Sequence, residues 1–331
     1  MVNLMPVRPM GGSRIDASAI GLGTWAMGGW MWGGTDEAEA VAAIRASIDQ
    51  GVSLIDTAPA YGLGKSEELV GEAISGRRDQ VVLATKCGLV WHTDKGNHFF
   101  DEHGQRVHRY LGRESIFFEV EQSLKRLRTD YIDLYITHWQ DPTTSVAETM
   151  DALLELKRQG KIRAIGVSNV SPDELEAYVA VGPVDAIQER YSMLDREIEA
   201  TLLPICRRQG IATLSYSSLA LGLLSGRIGP GRVFAGDDQR KDDPRFAPEN
   251  LKRVAAFIAA IEPLAAARQA TPAQVVIAWT IAQPGITYAL CGARNPGQAT
   301  ENARAGTLSL SDSELAGIDH AIAAHLAGIG A

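Results

Sequence analysis

The chain has 331 residues, 45% apolar and 22% charged, with a formal net charge of −8. This is the composition of a soluble globular protein, and an acidic balance without any Lys/Arg run argues against nucleic acid or an anionic membrane as partner. No apolar stretch is long enough to span a bilayer, and MVNLMPVRPMGGSR lacks the apolar core of a signal peptide, so a cytoplasmic protein is expected.

In chain order, short β-like runs alternate with helical patterns. Ile20–Trp25 reads as a first strand, and Val41, Ile44 and Ile48 then share one helical face. Strands follow at Val52–Asp56 and Val81–Lys86, and a long irregular stretch, Gly88–Gly112, comes after the third strand. Ile116, Val120, Leu124 and Leu127 mark a helix before the strand Ile132–His138, and Val146, Met150, Leu153 and Leu154 mark the next. The remaining strands are Ile162–Val167, Asp185–Gln188, Ile211–Tyr216 and Thr287–Cys291, with a second irregular stretch, Gly226–Pro248, after the seventh. Capping boxes at Ser171–Glu174, Thr271–Gln274 and Ser311–Glu314 fix three helix starts, the last opening a final helix near Ser311–Ala324.

Most of these strands are apolar at consecutive positions, as in parallel strands covered on both faces. Eight of them alternating with helices predict an α/β protein of one domain over residues 1–331, a closed (β/α)8 TIM barrel with an extra C-terminal helix. Both irregular stretches would then lie at the carboxyl mouth, as substrate and cofactor lids. Cys87, Cys206 and Cys291 are widely spaced and form no CxxC pair, which suits small buried thiols in a reducing compartment and no structural zinc.

Four polar residues stand where apolar runs end: Asp56, Tyr61 just beyond it, Lys86 and His138. In a parallel barrel those ends meet at one mouth. A tyrosine, with an ordinary pKa of about 10, needs help to move protons near neutrality. An adjacent ammonium lowers that pKa, a carboxylate holds the ammonium, and an imidazole positions a carbonyl oxygen. Taken singly, Lys86 with Asp56 reads equally well as a structural ion pair, and Tyr61 and His138 as packed mouth residues.

The segments ASAIGLGTWAMGG, GVSLIDTAPAYGLGKSEELVGEAI, VVLATKCG, LRTDYIDLYITHWQDP, LKRQGKIRAIGVSN, IATLSYSSLALGLLSG and CGARNPGQATEN resemble the aldo-keto reductase family in order and spacing, from about residue 15 to residue 320. The resemblance implies a barrel that binds an extended nicotinamide dinucleotide without a Rossmann domain. It implies Tyr61 as general acid, Lys86 and Asp56 as the partners that lower its pKa, and His138 as the residue that orients the carbonyl. It also implies a cofactor site: Ser168, Asn169 and Gln188 on the carboxamide, Tyr216 stacked on the nicotinamide ring, and Ser217–Gly226 around the pyrophosphate. Within that run Leu219, Gly222, Leu224 and Gly226 are included, and Gly23, Thr24, Trp25 and Asp56 complete that half. Gly292, Arg294, Gln298, Glu301 and Asn302 match the segment that grips the adenosine half. Arg294 suits a 2′-phosphate, because a guanidinium fork pairs with phosphate oxygens, so NADPH is expected over NADH. Two positions depart from the family pattern: Ser218 replaces a common proline, and Gln298 stands where many relatives carry a second basic residue.

Trp25, Trp30, Trp32, Trp91 and Trp139 fall at or just after strand ends and, with Tyr61 and His138, predict an aromatic-walled substrate pocket. Such walls bind sugars through their CH faces as readily as flat aromatic aldehydes. GGWMWGG and GLVWHTDKG resemble the bacterial branch linked to sugar and inositol utilisation.

Three lookalikes are set aside. Gly21–Ala26 satisfies G-x-G-x-x-A but leads into a glycine-rich stretch instead of opening a helix. His92, His98, His103 and His108 share one loop without a metal-site spacing. Asn169-Val170-Ser171 is a formal glycosylation sequon that a cytosolic chain leaves unused. The reading is a reversible NADPH-dependent reductase of a small carbonyl compound. The alternatives are a cofactor-sensing subunit like the barrel β-subunits of potassium channels, disfavoured by the lack of an extension before the barrel, and a barrel hydrolase, for which no second carboxylate pairs with Asp56.

Overall fold

A computed structural model describes residues 5–229 and 231–329. Eight parallel strands close into a barrel and follow one another around it in sequence order: β1 (Ile20–Gly23), β2 (Leu54–Asp56), β3 (Val82–Cys87), β4 (Ile132–Thr137), β5 (Ile162–Ser168), β6 (Ala186–Arg190), β7 (Ala212–Tyr216) and β8 (Tyr288–Gly292). All eight expected strands are present, with ends shifted by a few residues.

Register brings the polar strand ends together. Gly292 pairs with Gly23, Gly23 with Asp56 and Asp56 with Ala84. Side chains alternate along a strand, so Lys86, two residues beyond Ala84, projects to the same side as Asp56 and one layer nearer the mouth. Below that layer the barrel is packed with Leu54, Ala84, Leu134, Ala164, Leu214, Tyr288 and Leu290, all buried. Alanines at four strands leave room for the large side chains of the others. A two-stranded hairpin, Val7–Pro9 with Asp16–Ser18, closes the far end by packing Met10, Ile15 and Ala17 onto this core. It went unread in the sequence because its strands are three residues each.

The outer layer is α1 (Glu37–Asp49), α2 (Lys65–Ala73), α3 (Arg113–Leu127), α4 (Val146–Arg158), α5 (Pro172–Val181), α6 (Leu202–Gln209), α7 (Pro248–Ala267), α8 (Pro272–Ala282), α9 (Pro296–Ala305) and α10 (Asp312–His325). All three expected capping boxes form, at the starts of α5, α8 and α10. The predicted apolar faces are buried: Val41, Ile44 and Ile48 of α1, and Ile116, Val120, Leu124 and Leu127 of α3. Among the described residues no helix is long and apolar enough to cross a membrane.

The two long mouth segments differ in kind. Residues 88–112, expected to be irregular, form an antiparallel sheet of Leu89–Val90, Gln105–Arg109 and Asn97–Glu102. Its hairpin turns on His103 and Gly104, both at positive φ (48° and 79°), which matches the two-residue turn favoured by strand twist. Val107 on this sheet is fully buried against Ala60 and Leu89. The second segment, between β7 and α7, contains only short 3-10 turns, at Leu223–Ser225, Gln239–Lys241 and Pro244–Phe246, among its described residues. It reaches across the mouth to the loop after β1: Asp237 accepts from the backbone amides of Met31 and Gly33, both at 3.0 Å, and Gln239 N–H donates to Met31 O.

Candidate active site

At the carboxyl mouth lies a cavity of about 710 Å³, within the usual size of a small-molecule site. On its floor Lys86, fully buried, donates to both Asp56 carboxylate oxygens at 2.9 Å, to Thr57 O at 2.8 Å and to the Tyr61 hydroxyl at 3.1 Å. His138 completes the group, its ring edge-on to Tyr61 with centroids 5.7 Å apart. Asp56, Tyr61 and His138 line the cavity, with Lys86 beneath them. All four residues singled out in the sequence therefore meet.

Tyr61 is seated by its backbone. A Cβ on Gly28 would come within 2.6 Å of the Tyr61 carbonyl carbon, and one on Gly62 within 2.3 Å of Gly28 O. Gly62 also has φ +66°, so the close crossing of the two loops requires glycine on both sides. Thr24 lies behind the floor, fully buried, with its hydroxyl donating to Asp56 O and bonded to Ser66, which in turn contacts Thr57.

One expectation is corrected here. Burial, reinforced by the Asp56 carboxylate, pushes the Tyr61 phenol well above its ordinary pKa instead of Lys86 lowering it. The phenol is half-buried, and removing water disfavours phenolate more than one ammonium, already neutralised by Asp56, favours it. Tyr61 therefore stands protonated, as an acid must before it acts. Burial likewise lowers Lys86, against the pull of Asp56. His138 is held well below its ordinary value by burial and then by Lys86, so its imidazole is neutral, and its Nδ1 is buried without a partner.

The residues of strands β5–β7 form a polar relay beside this floor. Ser168 donates to Gln188 O at 2.6 Å, and Asn169 Nδ2 to His138 O at 2.8 Å. Tyr216 donates to Asn169 Oδ1 at 2.7 Å. Gln188 donates to Asp56 Oδ1 at 2.7 Å, tying the sixth strand to the second. Asn169 adopts φ +54°, a left-handed conformation that asparagine tolerates and that turns its amide into the cavity rim.

Beyond Tyr216 the chain passes through left-handed residues at Ser217, Ala220, Leu221, Gly222 and Gly226. Ser217, Leu219 and Gly222 line the cavity, whereas Leu224 is fully buried in the core and Gly226 faces Ile258 and Pro272. Across from this loop Gly23, Gly292, Arg294, Gln298, Glu301 and Asn302 line the same cavity. Arg294 donates to the carbonyls of Trp32 and Gly34, and Gln298 accepts from the Arg294 backbone N–H at 2.8 Å. Asn302 holds Gly292 O at 2.9 Å, and Glu301 pairs with Arg227.

Much of the remaining lining is aromatic. Trp25 meets Trp32 edge-on at 5.4 Å and lies 6.3 Å from Tyr61. Trp30 stacks on Phe100 at 5.0 Å, and Trp139 contacts Phe99 at 5.3 Å. Trp91 does not line the cavity. It joins a cluster with Ala60, Leu89 and Val107, whereas Phe99 and Phe100 line the cavity. Those two phenylalanines were missed in the sequence, although the alternation in NHFFDEHGQRVHR around a His-Gly turn marks a hairpin. Also missed were Arg190, Arg227, Arg232 and Arg240, which line the same cavity. Of the loop histidines, His98 bonds Asp101 and lies beside His108, and His92 contacts Ser115.

A protonated phenol beside an ammonium and a neutral imidazole, in a cavity also lined by arginines, can protonate a carbonyl oxygen next to a large anionic ligand. The Aldo/keto reductase family profile matches residues 19–323. The chain is 48% identical over 287 residues to "Aldo-keto reductase YhdN" of Bacillus subtilis, covering 86% of this chain and 83% of that one. It is 42% identical over 312 residues to the "NADH-specific methylglyoxal reductase" of Escherichia coli, covering 92% and 95%. Among solved structures it superposes on the glycerol dehydrogenase AKR11B4 of Gluconobacter oxydans with a TM-score of 0.86 at 37% identity, over 98% of this chain and 96% of that one. A Klebsiella pneumoniae aldo/keto reductase in complex with NADP and acetate gives a TM-score of 0.72 at 33% identity, with 94% of each chain covered. The chain belongs to the aldo/keto reductase family and is an NAD(P)-dependent oxidoreductase.

Proposed function

We propose that the protein reduces an aldehyde or ketone to the alcohol with NADPH, reversibly, and that Tyr61 is its general acid. The observation that carries the reading is the hydrogen bond from Lys86 to Tyr61. An ammonium has donors only, so Lys86 donates an N–H hydrogen bond to the phenol oxygen and leaves the phenol O–H unspent. That hydrogen is free for a carbonyl oxygen in the cavity, with His138 beside it to hold the oxygen in line.

The cradle fits a nicotinamide dinucleotide. The run after Tyr216, left-handed at Ser217, Ala220, Leu221 and Gly222, brings Ser217, Ser218, Leu219, Leu221 and Gly222 to the cavity wall, where a pyrophosphate would lie. Ser168, Asn169 and Gln188 would hold the carboxamide, Tyr216 the ring face, and Gly292 through Asn302 the adenosine half. Bound there, the cofactor supplies the hydride, and the chain's own residues do the rest. Tyr61 gives its proton to the oxygen, Lys86 stabilises the phenolate left behind, and Asp56 keeps Lys86 charged and aimed. Arg294 is paired with no carboxylate among the described residues and engages only carbonyls, which leaves its charge for a 2′-phosphate. Relatives divide on this point, one being named NADH-specific and another structure holding NADP.

Tyr61→Phe tests the assignment. Turnover of a reactive aldehyde should fall by about 10³-fold or more, while cofactor binding, followed by quenching of tryptophan fluorescence, stays within about twofold. Turnover close to that of the parent would remove Tyr61 from the acid role.

A further inference from the structure

Strand β5 ends before its neighbour does. Its register with β6 runs Gly166 to Ala186, Val167 to Ile187 and Ser168 to Gln188, while β6 continues along β7 through Glu189 with Ser215 and Arg190 with Tyr216. The chain leaves the strand because Asn169 turns left-handed, at φ +54°. Side chains then satisfy what the ladder no longer does. Ser168 Oγ donates to Gln188 O, and the Glu189 carboxyl accepts from the Val170 N–H at 3.0 Å and also interacts with the Asn169 N–H. Glu189 is buried and, unlike Gln188 and Arg190 on either side of it, does not line the cavity.

That carboxyl grips from behind the turn that carries Asn169. The Asn169 amide is fully engaged on its donor side, Nδ2 giving one hydrogen to His138 O at 2.8 Å and the other to Ser168 Oγ at 3.1 Å, while Oδ1 takes the Tyr216 hydroxyl at 2.7 Å. Oδ1 keeps a second lone pair, so toward a ligand this amide can accept but not donate. A carboxamide reaching it would be held by its NH2. A left-handed asparagine is tolerated but not preferred, so the turn needs an anchor. Without the Glu189 carboxyl the Val170 N–H would be left buried and unpaired, and relaxation of the turn would carry the Asn169 amide out of place. Resting on the reading of Ser168, Asn169 and Gln188 as the carboxamide seat, we propose that Glu189 is a positioning residue for the cofactor: by anchoring the Asn169–Val170 backbone it sets where Asn169 Oδ1 meets the carboxamide NH2.

The test sets whichever of NADPH and NADH binds tighter against its 3-acetylpyridine analogue, in which a methyl replaces the carboxamide NH2. Dissociation constants are read from tryptophan fluorescence quenching of the purified protein. The parent should bind the cofactor at least about tenfold tighter than the analogue, which cannot donate to Asn169. Glu189→Ala should weaken cofactor binding about tenfold and analogue binding less than about twofold, so that the preference nearly vanishes. Glu189→Gln, which keeps an acceptor oxygen in the same place, should retain the preference. Glu189→Asp, one methylene shorter, should fall between and serves if the alanine variant does not fold. Glu119→Ala is the control for burial alone, since Glu119 accepts a backbone N–H, from Gly88, away from the seat. It should lower the melting temperature and leave the preference unchanged. The inference is overturned if Glu189→Ala or Glu189→Asp lowers the melting temperature but keeps the full preference. It is overturned equally if Glu189→Gln or Glu119→Ala loses the preference as completely as Glu189→Ala. A parent without the preference, or Asn169→Ala with it undiminished, overturns the carboxamide reading itself, and the inference with it.

Discussion

Lys86 reaches the Tyr61 hydroxyl at 3.1 Å while its other contacts, at 2.8–2.9 Å, go to Thr57 O and the Asp56 carboxylate. Its three N–H groups are thereby matched to three acceptor groups. The phenol is an acceptor in this arrangement and stays free to donate.

The pH profile of carbonyl reduction follows from that state. With Tyr61 held above its ordinary value and His138 well below its own, neither group changes charge around pH 6.5. We expect kcat/KM for reduction to be flat from about pH 6 to pH 9, declining only at higher pH as the phenol ionises. An inflection near pH 6.5 that disappears in His138→Asn would show that the imidazole is charged in the working enzyme.

Removing the ammonium should cost stability as well as activity. Lys86→Met leaves the buried Asp56 with Gln188 as its remaining side-chain partner. A loss of about 3–5 kcal/mol is expected, the usual cost of stranding one member of a buried pair. Urea unfolding of both proteins checks it, and a change below about 1 kcal/mol would mean that Asp56 takes up a proton at little cost.

The proposed preference for NADPH rests on one guanidinium. Arg294→Ala should weaken NADPH binding about tenfold or more and NADH binding much less, because only NADPH offers a 2′-phosphate. Fluorescence titration with both cofactors measures the difference. Equal losses would assign Arg294 to holding Trp32 and Gly34 instead.

A buried carboxyl outside the site governs stability against pH. Glu119 accepts from Gly88 N–H at 2.9 Å and Ser115 Oγ at 3.0 Å, yet burial raises its pKa to about 8. Unfolded, it would titrate near 4.5. Below that pH both states hold the proton, and the contribution is fully present. Between the two values the folded state keeps a proton that the unfolded state has lost, so stability falls by up to about 1.4 kcal/mol per pH unit. Above about pH 8 the loss is complete. Glu119→Gln should flatten this part of the curve, as read from melting temperatures between pH 4 and 9.

The barrel was legible because strand and helix periods differ and because capping boxes at Ser171, Thr271 and Ser311 are local signals. Asp56, Lys86 and His138 were legible because strand ends converge, which is a property of the topology. Phe99 and Phe100 were not, since their facing depends on a sheet folded from the insert after β3 and on a bulge between His98 and Phe100. The direction of the Tyr61 pKa shift was missed for a related reason: a sequence shows a neighbour's charge but not how much water surrounds the pair. Trp91 shows the same limit, an indole placed at the mouth by its number and left off the cavity lining by the way the insert folds.

Gly28 and Gly62 carry no chemistry, yet they set where the chemistry happens. Each would drive its Cβ into the other's loop, with contacts of 2.8 Å or less to backbone atoms. Backbone cannot swing aside as a side chain does, so a single methyl at position 28 would push on the Tyr61 backbone and draw its hydroxyl away from Lys86. The placement of that hydroxyl is thus set by an empty volume, and the tolerance at that point is the width of one hydrogen.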